Sequence, residues 1–319
     1  MLSSYEIDKW RNQGYLIIRD LFNKKLMNKC IELMNSKYYD EESACEDFGS
    51  KGDLEFPSNT ILDWLSVDSD LIKCVKQLLN CNEISLIQSD AWGKAGKETD
   101  TEFNNNDQRM HMDYGNNTFL HPDTWDSPEA VALIIYLSDT SEIGGQTALV
   151  PKNKLTEEFY NYPYVNMPGQ GNFKFINDAQ TAENYFKENH PQVYNFRQKL
   201  YDKEIKVKAK PGDVLFYRLD LWHRGTPVNE GKTRFLSNLL YKKRDCYWIN
   251  TWNSSFSKKM YYGYLERFIE NLSPLQRSVI GIPLPGDDYW TLEKIYLLKC
   301  RYINMDISEY INKLRISKL

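Results

Sequence analysis

Apolar residues recur at helical spacing in the first quarter of the chain, and strand-like runs take over from residue 83. Residues 23–38 carry Leu26, Met27, Cys30, Leu33 and Met34 on one stripe, the pattern of a helix laid over one face of a sheet. Residues 4–12 predict a short capped helix stopped by Gly14, and 58–65 and 68–79 predict two more, each opened by a Ser or Asp able to cap it. Residues 39–57 are acidic and rich in turn formers, and predict a loop. Strands are expected at 83–92, 131–138, 145–150, 205–208, 213–218 and 234–242. Helices followed by many strands predict an α+β, mainly β fold: a double-sheet jelly roll braced on one side by the N-terminal helices.

Residues 152–204 interrupt the strand pattern with a polar, helix-prone insertion, of a kind that serves either as a lid or substrate wall or as a surface excursion. After residue 244 the pattern turns helical again, at 258–271, just after Ser273-Pro274, at 293–301 and at 308–314, with a rigid Pro-aromatic turn at 282–290. The expected organisation is one domain over 1–244, with its jelly-roll core at about 83–242, and a helical extension over 245–319 packed on that core.

A net charge of −4 leaves no basic face for nucleic acid; Lys242-Lys243-Arg244 is the only compact basic run. No apolar stretch is long enough to span a membrane, and no secretory segment opens the chain. Cys30, Cys45, Cys74, Cys81, Cys246 and Cys300 form no Cys-x-x-Cys pair, so free thiols in a reducing intracellular compartment are expected. The last three residues, Ser317-Lys318-Leu319, spell the peroxisomal address, which applies only if the source is a eukaryote.

Candidate chemistry gathers at His111-Met112-Asp113, His223 and Arg234. Two imidazoles and one carboxylate can occupy one face of an octahedral iron(II) and leave three positions open. The planar fork of an arginine pairs a carboxylate bidentately, as a dicarboxylate cosubstrate such as 2-oxoglutarate requires. A second His-x-Asp, His121-Pro122-Asp123, sits among turn formers with no strand of its own and reads as a surface loop. His223 and Arg234 lie on a strand–turn–strand run, with turns at Lys210-Pro211-Gly212-Asp213 and Asn229-Glu230-Gly231-Lys232. If its two strands pair antiparallel, both residues face one cavity.

These residues resemble the phytanoyl-CoA dioxygenase family of iron(II)- and 2-oxoglutarate-dependent oxygenases. The likeness is carried by Gln88 and Lys94, His111-Met112-Asp113, the block Gly144-Gly145-Gln146-Thr147-Ala148-Leu149-Val150-Pro151, Gly212-Asp213-Val214, Trp222-His223-Arg224-Gly225 and Arg234. The opening Gly14-Tyr15-Leu16-Ile17-Ile18 matches as well, so the likeness runs from about residue 5 to 242. It implies a double-stranded β-helix. It departs from the family at Met112, where Gln is frequent, and at Lys152-Asn153-Lys154, where Gly-Ser-His is frequent; both departures are expected near the substrate. The retained Asp113 argues against a halogenating relative.

The expected activity is oxidation of an unactivated carbon of a small organic substrate, lipid-like or acyl compounds among the possibilities, using O2 and 2-oxoglutarate. Iron(II) is expected on His111, Asp113 and His223, and 2-oxoglutarate on Arg234. Gln88, Thr118 and Ser237 are candidates for cosubstrate or supporting hydrogen bonds, and Lys94 and Trp92 for the mouth of the site. Two other readings stay open at this level: a protein side-chain hydroxylase, and a non-catalytic cupin-like metal-binding protein.

Overall fold

In the computed structural model, residues 1–38, 54–97, 105–113, 127–153, 178–246, 264–302 and 304–316 are described. The first helix, α1 (Ser4–Gln13), starts at a reciprocal capping box of Ser3 and Glu6 and stops at Gly14, whose φ of 81° suits a residue without Cβ. Strand β1 (Tyr15–Ile18) follows, then helix α2 (Lys24–Lys37), a 3-10 helix (Ile61–Val67) where a regular helix over 58–65 was expected, and α3 (Ser69–Leu79). The remaining strands are β2 (Ile84–Ala95), β3 (Ala130–Tyr136), β4 (Thr147–Leu149), β5 (Ile205–Lys206), β6 (Val214–Tyr217), β7 (His223–Gly225) and β8 (Thr233–Lys243).

These strands form two sheets, a major one in the order β1-β6-β3-β8-β2 and a minor one in the order β5-β4-β7. The expected jelly roll is thus present, but the expected pairing of 213–218 with 234–242 is not. Strand β3 lies between β6 and β8 and pairs antiparallel with both. Its sequence explains the position: Ala130-Val131-Ala132-Leu133-Ile134-Ile135-Tyr136 is apolar throughout and buried throughout, as a strand covered on both faces must be. Thus His223 and Arg234 belong to different sheets that face each other.

Strand register sorts the major sheet into an inner and an outer face. Inner contacts cross to the minor sheet or its turns: Tyr136 donates to Thr147 Oγ1 at 2.9 Å and Arg234 to the Gly145 carbonyl at 2.8 Å. Outer side chains meet the helices: Phe235 lies against Tyr38, and Tyr241 donates to the Ser66 carbonyl at 2.6 Å. Leu71, Ile72, Val75, Leu78 and Leu79 of α3 join the same core as the sheet.

Two helices of the insertion, α5 (Ala179–Asn189) and α6 (Pro191–Tyr201), follow a single helical turn, α4 (Thr140–Ile143). At the C-terminal end, helices occur at Tyr264–Glu270, Pro274–Val279, Leu292–Arg301 and Ser308–Ile316. Val279 enters the main core, and Gln276 donates to the Val67 carbonyl at 3.0 Å, so this tail packs on the jelly roll. No helix among the described residues is long and apolar enough to cross a membrane.

Candidate metal centre

Residues 108–111 run beside β7 as an extra edge of the minor sheet. Gln108 N–H donates to the Gly225 carbonyl at 3.1 Å, and His111 and His223 exchange both backbone hydrogen bonds at 2.9 Å. A directly opposed antiparallel pair projects its side chains to the same side. The two imidazole rings accordingly sit with centroids 4.4 Å apart.

Each ring is turned by the same local device. His111 Nδ1 lies 2.9 Å from the Arg109 carbonyl, and His223 Nδ1 lies 3.0 Å from the Leu221 carbonyl. A carbonyl only accepts, so both Nδ1 atoms carry a proton, and Nε2 is the ring atom that each histidine turns toward Asp113. Burial, aided by His223 and then Arg109, holds the His111 pKa well below the usual imidazole range, so this ring stays neutral.

Asp113 completes the group. Its Oδ1 lies 3.9 Å from His111 Nε2 and 3.5 Å from His223 Nε2, and one ligand atom from each residue lies within 4.8 Å of the others. An ion about 2.1 Å from each donor in octahedral geometry wants them about 3 Å apart, so a small contraction seats it. The donor set therefore fits a divalent transition metal: two imidazoles and a carboxylate.

Tyr217, which nothing in the sequence singles out, supports this group. Its hydroxyl donates to Asp113 Oδ2 at 2.6 Å, and its ring lies on His223 with centroids 4.9 Å apart. Burial first, then the Asp113 charge, pushes the phenol pKa well above its usual value, so it remains a donor. Holding one carboxylate oxygen in this way aims the other at the imidazoles. Tyr217→Phe should weaken iron binding roughly 10- to 100-fold while leaving the fold intact, measured by anaerobic iron titration.

Arg234, at the start of β8, is buried on the inner face, directly across from Lys94 on β2. Gly145 makes room for it: a Cβ there would come within 2.9 Å of Arg234 Cδ, and its φ is +67°. The Gly144-Gly145 turn is tied to the far strand by Gly145 N–H donating to the Pro227 carbonyl at 2.7 Å. Lys94 and Trp92 are buried in the wall of the sheet and not at an open mouth, at 4% and 3% exposure. Gln88 is also on the inner face, six positions along β2 from Lys94, and donates to Asp90 Oδ2 at 2.6 Å. Ser237 is not brought to the site: three positions from Arg234, it shares the outer face with Phe235 and Tyr241. Thr118, His121 and Asp123 lie outside the described residues.

Two residues at which the sequence departs from the family pattern, Met112 and Lys152, are built into the frame. Met112 is buried in the main core. Lys152, fully buried, donates to Asp220 Oδ2 at 2.8 Å, and Arg218 binds the same carboxylate through Nε and Nη2 at 2.8 and 2.7 Å. This cluster ties the segment before His223 to the end of α1, since Arg218 also donates to the Arg11 carbonyl at 2.9 Å. Lys152→Met leaves a buried carboxylate with one partner fewer and should cost about 3 kcal/mol in chemical denaturation. A similar frame supports His111 from the insertion. Met110 N–H donates to Tyr201 Oη at 3.0 Å, and that hydroxyl donates to Glu183 at 2.9 Å, which Arg197 also binds. Helices α5 and α6 thus buttress the segment that carries the first histidine.

The model of the family described as Phytanoyl-CoA dioxygenase (PhyH) matches residues 10–235. The chain belongs to the phytanoyl-CoA dioxygenase family. It is therefore an oxidoreductase of the iron- and 2-oxoglutarate-dependent dioxygenase class, with O2 as the other cosubstrate. No curated protein matches it in sequence. Solved structures share its fold at low identity. The carbocyclase SnoK from nogalamycin biosynthesis superposes with a TM-score of 0.54 at 16% identity, over 81% of this chain and 90% of that one. EctD from S. alaskensis with bound Fe gives 0.51 at 13%, over 78% and 79%. The epimerase SnoN in complex with Fe3+, α-ketoglutarate and nogalamycin RO gives 0.50 at 13%, over 75% and 82%.

Proposed function

We propose that this phytanoyl-CoA dioxygenase-family protein oxidises an unactivated carbon of a small organic substrate, with His111, Asp113 and His223 holding iron(II) and Arg234 holding 2-oxoglutarate. The observation that carries this reading is the convergence of three donor atoms of metal-ligating type. Both imidazoles are held at Nδ1 by backbone carbonyls behind them, and Asp113 Oδ1 is aimed at them by Tyr217.

When bound, iron with 2-oxoglutarate and O2 supplies oxidation of a C–H bond, with release of succinate and carbon dioxide. The chain's own residues bind, orient and exclude water. Arg234 offers a guanidinium fork fixed by the Gly145 carbonyl, and a dicarboxylate pairs with it through its distal end. Leu215, Ile134 and Leu236 on the inner face keep water from the reacting centre. A small molecule is favoured over a peptide because the β2 edge is already covered: Phe56 N–H donates to the Ser89 carbonyl at 2.8 Å, and Glu55 bridges Asp90. At that point the edge is closed to strand addition.

The test is anaerobic loading with iron(II), then exposure to O2 and 2-oxoglutarate with succinate as the readout. Iron-dependent succinate release, lost in Asp113→Ala, is expected. A protein that binds metal and makes no succinate would be the cupin-like binding protein instead.

A further inference from the structure

Besides Arg234, Lys94, Tyr136 and Tyr217, the inner face of the major sheet carries a band of polar side chains on β2 and β8. Asn238 and Asp90 are direct cross-strand partners on β8 and β2, and Gln88 stands next to them along β2. Along β8, Asn238 is flanked on its own face by Leu236 and Leu240, and its partner on β3 is Ile134. A side chain that only filled space here would be another leucine. Instead the buried Oδ1 of Asn238 has no hydrogen-bond partner among the described residues. Such an acceptor is costly unless something donates to it. Beside it, the Asp90 carboxylate is braced by Gln88 Nε2 at 2.6 Å. The band shares the face of Tyr217, the residue that holds Asp113. Register carries the Tyr217 row across Ala132 and Leu240 to Gln88.

We propose that Asp90 and Asn238 form a substrate-binding subsite that takes an amino alcohol: a compound presenting an ammonium to the Asp90 carboxylate and an adjacent hydroxyl to the Asn238 amide oxygen. Cross-strand neighbours place their Cβ atoms about 5 Å apart, which matches donors on adjacent carbons. The carboxylate selects a cation through a charge-assisted hydrogen bond and rejects an acid. Gln88 orients Asp90 as a positioning residue. This subsite disfavours a simple fatty acyl chain, because that chain would leave the buried Asn238 amide oxygen without a donor. The inference rests on the iron and 2-oxoglutarate reading of the neighbouring centre and names the class of substrate that centre would oxidise.

The experiment uses the full chain loaded anaerobically with iron(II) and 2-oxoglutarate, with calorimetry of three probes: 2-aminocyclohexanol, cyclohexanol and decanoate. Wild type should bind 2-aminocyclohexanol in preference to the other two. Asp90→Asn should weaken that binding roughly 10- to 100-fold, and Asn238→Leu roughly 2- to 10-fold. Iron and 2-oxoglutarate affinities, titrated in the same samples, should stay at wild-type values. That result separates loss of this subsite from failure of the metal centre. If Asp90→Asn does not fold, Asn238→Leu carries the test alone. Equal amino-alcohol affinity in wild type and variants overturns the proposal. So does tighter binding of decanoate than of the amino alcohol by wild type, or no saturable amino-alcohol binding in protein that still binds 2-oxoglutarate.

Discussion

Alanine at His111 or at His223 should abolish iron binding, a larger loss than the roughly 10- to 100-fold expected for Tyr217→Phe. Three protein ligands are the minimum that fixes this geometry, and each imidazole reaches the centre with its orientation already set by a backbone carbonyl. Burial makes the cost larger, because the remaining imidazole and carboxylate keep their positions but lose the ion they were arranged around. His121→Ala serves as the control and should bind iron like wild type. Asp113→Ala should retain some metal on two imidazoles yet give no substrate oxidation. The measurement is iron stoichiometry after anaerobic reconstitution, followed by succinate formation in air. Iron lost in His121→Ala and kept in His111→Ala would mean that the second His-x-Asp holds the metal.

Arg234→Ala should raise the dissociation constant for 2-oxoglutarate roughly 10- to 1,000-fold, the equivalent of losing a bidentate charge-assisted pair in a buried setting. The Nη1 donor is held by the Gly145 carbonyl, which fixes the orientation of the fork. Arg234→Lys keeps the charge and loses the fork, so it should fall between wild type and Arg234→Ala. Gly145→Ala should resemble a milder Arg234 variant, since the new methyl meets Arg234 Cδ at 2.9 Å and strains a backbone at φ +67°. Iron affinity should hold in all three, because none of these changes touches a ligand. Titration of uncoupled succinate formation against 2-oxoglutarate reads the effect. Wild-type affinity in Arg234→Ala would place the carboxylate clamp elsewhere.

The sequence by itself determined the ligand types and the helix-then-strand order. The spacing His-x-Asp on an extended segment can be read locally, and the turn formers around His121 mark the competing pair as a loop. Strand alternation also sorts the side chains of β8 between its two faces. Ser237 stands an odd number of positions from Arg234, which puts it on the opposite face of β8, whereas Asn238 stands an even number away and faces inward.

Only the tertiary structure decided the partners, because the forces that choose them act between segments far apart in the chain. Tyr217 holds Asp113 across 104 positions of sequence. Nothing local to either residue encodes that contact. It exists because β1 and β3 flank β6 and turn Tyr217 toward the minor sheet. Strand β3 separates β6 from β8 because an all-apolar strand is stable only with both faces covered, a constraint satisfied by the sheet as a whole. Lys152, expected from the sequence near the substrate, is a buried tie because Asp220, held by Arg218 as well, is there to receive it. Chemistry at single positions follows residue type and spacing; which residues hold, clamp and support one another follows from how two sheets close on a shared interior.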